Sequence, residues 1–285
     1  MTRDSILISA SELNALLGSD PTVRVLDVRW RLDQPDGRAE FAAGHIPSAV
    51  YVDLDTELAQ HGKPTDGRHP LPTIDAFERS ARNWGLNDGD TVVVYDNLNT
   101  MSAARLWWML RAAGVDTVRV LDGALGAWSA AGFELETGEV AATPGSISLT
   151  GSFAGQISID EATVFPQAGV LLDSRAPERY RGESEPVDPR AGHIPGALNA
   201  PASANVDADG RFRSPVELRA RFEALGVEDD VPVATYCGSG VVAAHNALAL
   251  TLAGFDPKVF VGSWSQWSND PNRPAEVGPG TGASA

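Results

Sequence analysis

The sequence predicts an α/β protein of two tandem domains, each a largely parallel sheet flanked by helices. Two observations carry this. The chain repeats itself at a spacing of about 140–148 residues, too long for a solenoid and right for a duplicated domain. Within each repeat, short β-branched runs alternate with longer apolar runs that end at glycine, the order strand, helix, strand that implies parallel pairing through right-handed crossovers.

The repeat is legible in five places, always in the same order. Leu26-Asp27-Val28-Arg29 returns as Leu172-Asp173-Ser174-Arg175, and Gly44-His45-Ile46-Pro47 returns as Gly192-His193-Ile194-Pro195. Val94-Tyr95-Asp96 corresponds to Thr235-Tyr236-Cys237, and Ala113-Gly114 to Ala253-Gly254. Leu121-Asp122-Gly123 with Trp128 answers Phe260-Val261-Gly262 with Trp267. In the first half, Thr91 to Tyr95 reads as a strand buried on both faces, Ala103 to Arg111 as a helix stopped by Gly114, and Val118 to Leu121 as the next strand. In the second half the same roles fall to Pro232 to Tyr236, Ala243 to Leu250 with Gly254, and Lys258 to Val261. These patterns set the first domain at 1–138, a Gly/Ser/Thr-rich linker at 139–156, the second domain at 157–274, and a small-residue, flexible tail at 275–285.

Composition narrows the function. The chain has 285 residues, 43 % of them hydrophobic, enough for two ordinary cores. A net charge of −16 argues against nucleic acid and anionic membranes as partners. No apolar stretch is long enough to span a bilayer and no signal-peptide pattern opens the chain, so a cytoplasmic protein is expected. A single cysteine excludes an internal disulfide and a cysteine-rich metal site, and no metal or cofactor is expected.

That cysteine is the most informative residue. Cys237 ends a β-branched strand, and Gly238-Ser239-Gly240-Val241-Val242 leads from it into a helix. In such a loop several backbone N–H groups and the positive helix end can face the sulfur and favour thiolate over thiol. The alternative is a buried cysteine acting as a small hydrophobe, which has no need of Gly-x-Gly straight after the strand. In an open parallel sheet, ligands sit at the carboxyl ends of the strands, where Cys237 falls.

With the Cys237 loop, the doubled Gly-His-Ile-Pro and Gly262-Ser263-Trp264-Ser265-Gln266-Trp267 in register, the chain resembles the two-domain rhodanese-like sulfurtransferases over about residues 5 to 274. The resemblance implies two rhodanese-like domains, the first lacking the catalytic cysteine. It implies a transferase that takes sulfur from 3-mercaptopyruvate or thiosulfate as a Cys237 persulfide. The sulfur then passes to cyanide or a thiol, such as that of a dithiol protein like thioredoxin. The backbone of Gly238, Gly240, Val241 and Val242 becomes the cradle for the persulfide, with glycine leaving room for close approach. The Cys-Gly-Ser-Gly-Val loop is similar to the mercaptopyruvate version, since the thiosulfate version places basic residues just after the cysteine.

The resemblance also brings in side chains, one by one. His69, in His69-Pro70-Leu71-Pro72, and Asp55 upstream of it join Ser239 in a Ser–His–Asp relay that positions or protonates the donor. Arg179 is offered for the donor carboxylate, and Arg190 as a second binding arginine, although its loop is shorter than in the animal enzymes. Arg29 and Arg175 recur in both halves and are therefore expected to be structural. Trp264 or Trp267 either walls the pocket or packs in the core. Two other functions are weighed. A Cys-x5-Arg phosphatase needs an arginine at 243, where the chain has Ala243. A non-enzymatic sulfur carrier or protein-binding module would form no persulfide with any donor.

Overall fold

The computed structural model describes residues 2–280. The chain divides into two compact units, and each borrows a segment from the other half of the sequence. The first comprises 1–60, 72–154 and 206–212, and the second 61–71, 155–205 and 213 onward.

In the first unit, β1 (Leu7–Ile8), β2 (Val23–Asp27), β3 (Val50–Tyr51), β4 (Thr91–Tyr95) and β5 (Val118–Leu121) form one sheet in the order β1-β5-β4-β2-β3. In the second, β6 (Val170–Asp173), β7 (Leu198–Asn199), β8 (Val233–Tyr236) and β9 (Lys258–Val259) form another in the order β7-β6-β8-β9. All these pairings are parallel. The central strands β4 and β8 are buried, and helices Ala103–Ala112 and Ala243–Leu252 that come after them are buried nearly all round. A helix buried on every face has no solvent side, which is why neither shows a clean amphipathic stripe. Trp264 and Trp267 are both core residues, 0 % and 1 % exposed.

Residues read as linker run along the first unit, with Gly145, Ile147, Thr150 and Ala154 donating backbone N–H bonds to Arg82, Leu86, Ala113 and Ala112. Part of the expected tail is docked: Glu276 pairs with His193 in both directions, and the Gly278 N–H reaches the Arg181 carbonyl. Residues 281–285 lie outside the described residues.

The repeated motifs turn out to be structural joints. Arg29 forms a buried ion pair with Asp27 at 2.7 Å and Arg175 with Asp173 at 2.6 Å, each guanidinium also capping carbonyls of its own unit. His45 and His193 are fully buried, stacked on Phe41 and Tyr180 with ring centroids 3.9 and 3.8 Å apart. The Nδ1 of each faces a carbonyl, Phe41 at 2.9 Å and Tyr180 at 2.8 Å, so Nδ1 carries the proton. The next residue, Ile46 or Ile194, donates its N–H to the Tyr95 or Tyr236 hydroxyl at 3.1 Å.

Burial pushes the His193 imidazole below the usual histidine range of about 6.5, although Glu276 lies 3.6 Å from Nε2. The unfolded chain therefore binds a proton at a pH where the folded chain does not. The contribution of His193 to stability is complete above about pH 6.5 and is lost as pH drops toward the depressed folded value. Urea midpoints between about pH 7 and about pH 5 should show this slope, and His193→Gln should flatten it. An unchanged slope in the variant would assign the acid sensitivity elsewhere.

Candidate active site

Cys237 stands at the carboxyl end of β8, 3 % exposed. The loop around it is set by the turn after β9. Ser263 adopts a left-handed conformation, φ 54°, uncommon for a residue with a side chain. Its hydroxyl accepts the Cys237 N–H at 3.1 Å and donates to the Phe260 carbonyl at 2.9 Å. The next two N–H groups, of Trp264 and Ser265, hold the carbonyls of Cys237 and Gly238 at 2.9 and 2.8 Å. With these carbonyls drawn toward helix Ser263–Ser268, the loop is left to present N–H groups to the sulfur. The Gly240 N–H donates to Cys237 Sγ at 3.1 Å. Among the described residues, the N–H groups of Ser239, Val241 and Val242 meet no protein acceptor.

Gly240 has no substitute. Its φ is 82°, and a Cβ there would sit 2.2 Å from the Val261 carbonyl oxygen. Gly238 is a close approach of another kind, against side chains that can move. A Cβ on it would lie 3.1 Å from Arg68 Nη2 and 3.4 Å from Arg179 Nη1, so two guanidiniums close on the residue beside the sulfur.

Arg179 is carried by helix Pro177–Tyr180 and pairs with Glu185 at 2.6 Å and Asp188 at 3.4 Å. Arg68 pairs with Asp188, and its backbone N–H donates to Ser265 Oγ at 3.1 Å. Both arginine side chains keep an open edge, 27 % and 20 % exposed for Arg68 and Arg179, whereas Asp188 and Glu185 are 2 % and 3 % exposed. Burial pushes the Asp188 carboxyl up, against the pull of Arg68. For Glu185 burial acts the same way, but the bonds from Arg179 and backbone N–H groups win and hold it below the usual range.

Arg190 is engaged otherwise. Its guanidinium donates to the carbonyls of Ser268, Arg273, Trp267 and Asp270 at 2.7–2.9 Å, tying down the end of helix Ser263–Ser268. Ser239 is buried in the loop, and His69, on the borrowed segment 61–71, is buried in the same unit. Asp55 belongs to the first unit, where its carboxylate accepts the Trp30 indole N–H at 3.0 Å. Arg68 is the residue that the sequence reading missed. The available signal was its position directly before His69.

The corresponding loop of the first unit shows what such a backbone holds. Asp96, fully buried, replaces the cysteine, and its carboxylate accepts N–H bonds from Leu98, Thr100, Ser102 and Ala103 at 2.8–2.9 Å. A carboxyl group thus fills that turn from within, where the second unit has its cysteine.

The family model for the rhodanese-like domain matches residues 9–131 and 159–270, one match in each half. The chain belongs to the rhodanese-like family. A provisionally named thiosulfate sulfurtransferase, SseB of Mycobacterium tuberculosis, is 45 % identical over 98 % of this chain and 99 % of its own length. A provisionally named 3-mercaptopyruvate sulfurtransferase of Pseudomonas aeruginosa is also 45 % identical, over 95 % and 98 % of the two chains. Among solved structures, the 3-mercaptopyruvate sulfurtransferase SseA from Escherichia coli superposes with a TM-score of 0.81 at 33 % identity, covering 93 % of this chain and 99 % of that one. This rhodanese-like chain is a sulfurtransferase. Among the described residues, no helix is long and apolar enough to cross a membrane.

Proposed function

We propose that Cys237 takes sulfur from 3-mercaptopyruvate in preference to thiosulfate, holds it as a persulfide, and passes it to a thiol or to cyanide in the cytoplasm. The observation that carries this reading is the pairing of a sulfur-facing N–H loop with two guanidiniums, Arg68 and Arg179, at Gly238. In the first step the Cys237 thiolate attacks the donor sulfur. The carbon–sulfur bond breaks, and its electron pair leaves on the pyruvate enolate, which is protonated at carbon. The outer persulfide sulfur carries the charge, and the backbone of Gly238 to Val242 is its cradle. In the second step an acceptor thiolate attacks that outer sulfur and restores the Cys237 thiolate. A dithiol protein of the thioredoxin type is a suitable acceptor, because its second thiol releases the sulfur. Ser239 and His69, both in the second unit, are the proposed relay for the donor carbonyl and the enolate proton.

Donor choice rests on where the charge lies. Mercaptopyruvate carries one carboxylate remote from the sulfur, which the open edges of Arg179 and Arg68 can accept. Thiosulfate is a compact dianion, and the positions after Cys237 are glycine and serine. Arg190, its guanidinium occupied by four carbonyls, takes no part in donor binding. The two relatives at 45 % identity carry names for different donors, so the donor must be read from the site. Steady-state rates with both donors, against cyanide and a dithiol protein, should give the higher kcat/KM for 3-mercaptopyruvate. A clear preference for thiosulfate would overturn the donor assignment. Arg179→Ala should raise the mercaptopyruvate KM with little change in kcat, costing about 1.5–3 kcal/mol for a lost charged hydrogen bond. A variant with unchanged KM would remove Arg179 from the donor site.

A further inference from the structure

Resting on that reading, we propose that Asp188 is the specificity-determining residue of the donor site, excluding dianionic donors by neutralising the arginines beside Cys237. Asp188 bridges both guanidiniums, one carboxylate oxygen on Arg68 and the other 3.4 Å from Arg179. It is held there by its own loop. Pro186 and Pro189 flank it with fixed φ, the N–H groups of Val187 and Asp188 both donate to Glu185 at 3.1 Å, and Arg190 anchors the loop end on four carbonyls.

The connected charges balance. Arg68, Arg175 and Arg179 face Asp173, Glu185 and Asp188, three cations against three carboxylates. A monoanion can add to the open edges of Arg68 and Arg179 at the cost of one desolvated charge. A dianion brings two, and desolvation grows steeply with charge while the site offers no net cation in return. Asp188 already takes the bridging position that a compact dianion would need. Removing its charge leaves one uncompensated guanidinium at Gly238, and a dianion gains more from it than a monoanion does.

The test compares the wild type with Asp188→Asn and Asp188→Glu, using thiosulfate and 3-mercaptopyruvate with cyanide as acceptor. Asp188→Asn should raise the thiosulfate-to-mercaptopyruvate ratio of kcat/KM by about tenfold, chiefly through thiosulfate KM, and Asp188→Glu should keep the ratio near wild type. A merely structural role would weaken both donors alike, so an unchanged ratio in folded Asp188→Asn overturns the proposal. Competitive inhibition of the wild type gives a second reading that needs no variant. Sulfate should inhibit no better than pyruvate, and clearly tighter sulfate binding overturns the proposal. A wild type that turns over neither donor would instead overturn the donor reading itself.

Discussion

Cys237→Ser should abolish sulfur transfer, a loss of at least about a thousandfold in kcat, while the protein folds and melts as the wild type does. An oxygen in place of Sγ cannot form the persulfide, and the chain has no other thiol to take its place. The fold should tolerate the change. The side chain is nearly isosteric, and a hydroxyl can accept the Gly240 N–H that Sγ accepts now. The Cys237 backbone is fixed independently by Ser263 and Trp264. Turnover measured beside a thermal melt separates the two effects. Retained turnover would mean that another group carries the sulfur.

Asp96→Ala should have the largest effect on stability of any change in the first unit's loop, about 3–5 kcal/mol. Its carboxylate is the shared acceptor of four N–H groups, and burial pushes the carboxyl up while those donors oppose. The loop also holds Asn99 and Thr100 at φ 52° and 72°, the latter a β-branched residue that rarely adopts such a backbone. With the acceptor gone, buried donors lose their partner and the strained turn loses its anchor. Asp96→Asn should cost less, since the amide oxygen still accepts on one side. Urea unfolding checks this, and a loss below about 1 kcal/mol for Asp96→Ala would show that the turn is held by other contacts.

The parts of the fold legible in the sequence were those with internal redundancy. β4 and β8 are β-branched runs bounded by turns, and their recurrence fixed the two parallel sheets. Of the two-residue strands, β9 was read as part of the longer run Lys258 to Val261, whereas β1, β3 and β7 were not readable, because they lie in no such repeated run and exist as strands only through their neighbours. The exchange of 61–71 and 206–212 between the units was equally hidden, since nothing local records which core a loop packs against. Near the proposed site, the strand-end place of Cys237 and the turn at Gly240 were legible because glycine after a strand-end cysteine has a local steric meaning. Arg68 was not, because its place depends on a bond to Ser265, 197 residues away. The histidines of the doubled Gly-His-Ile-Pro recur because each stacks on a ring of its own unit, Phe41 or Tyr180.

The most direct measurement is the intact mass of the wild type after exposure to 3-mercaptopyruvate without acceptor, combined with peptide mapping. The account predicts a gain of one sulfur atom, located on Cys237 and removed by cyanide, with no gain in Cys237→Ser. Turnover without any sulfur on Cys237, or sulfur gained by Cys237→Ser, would contradict it.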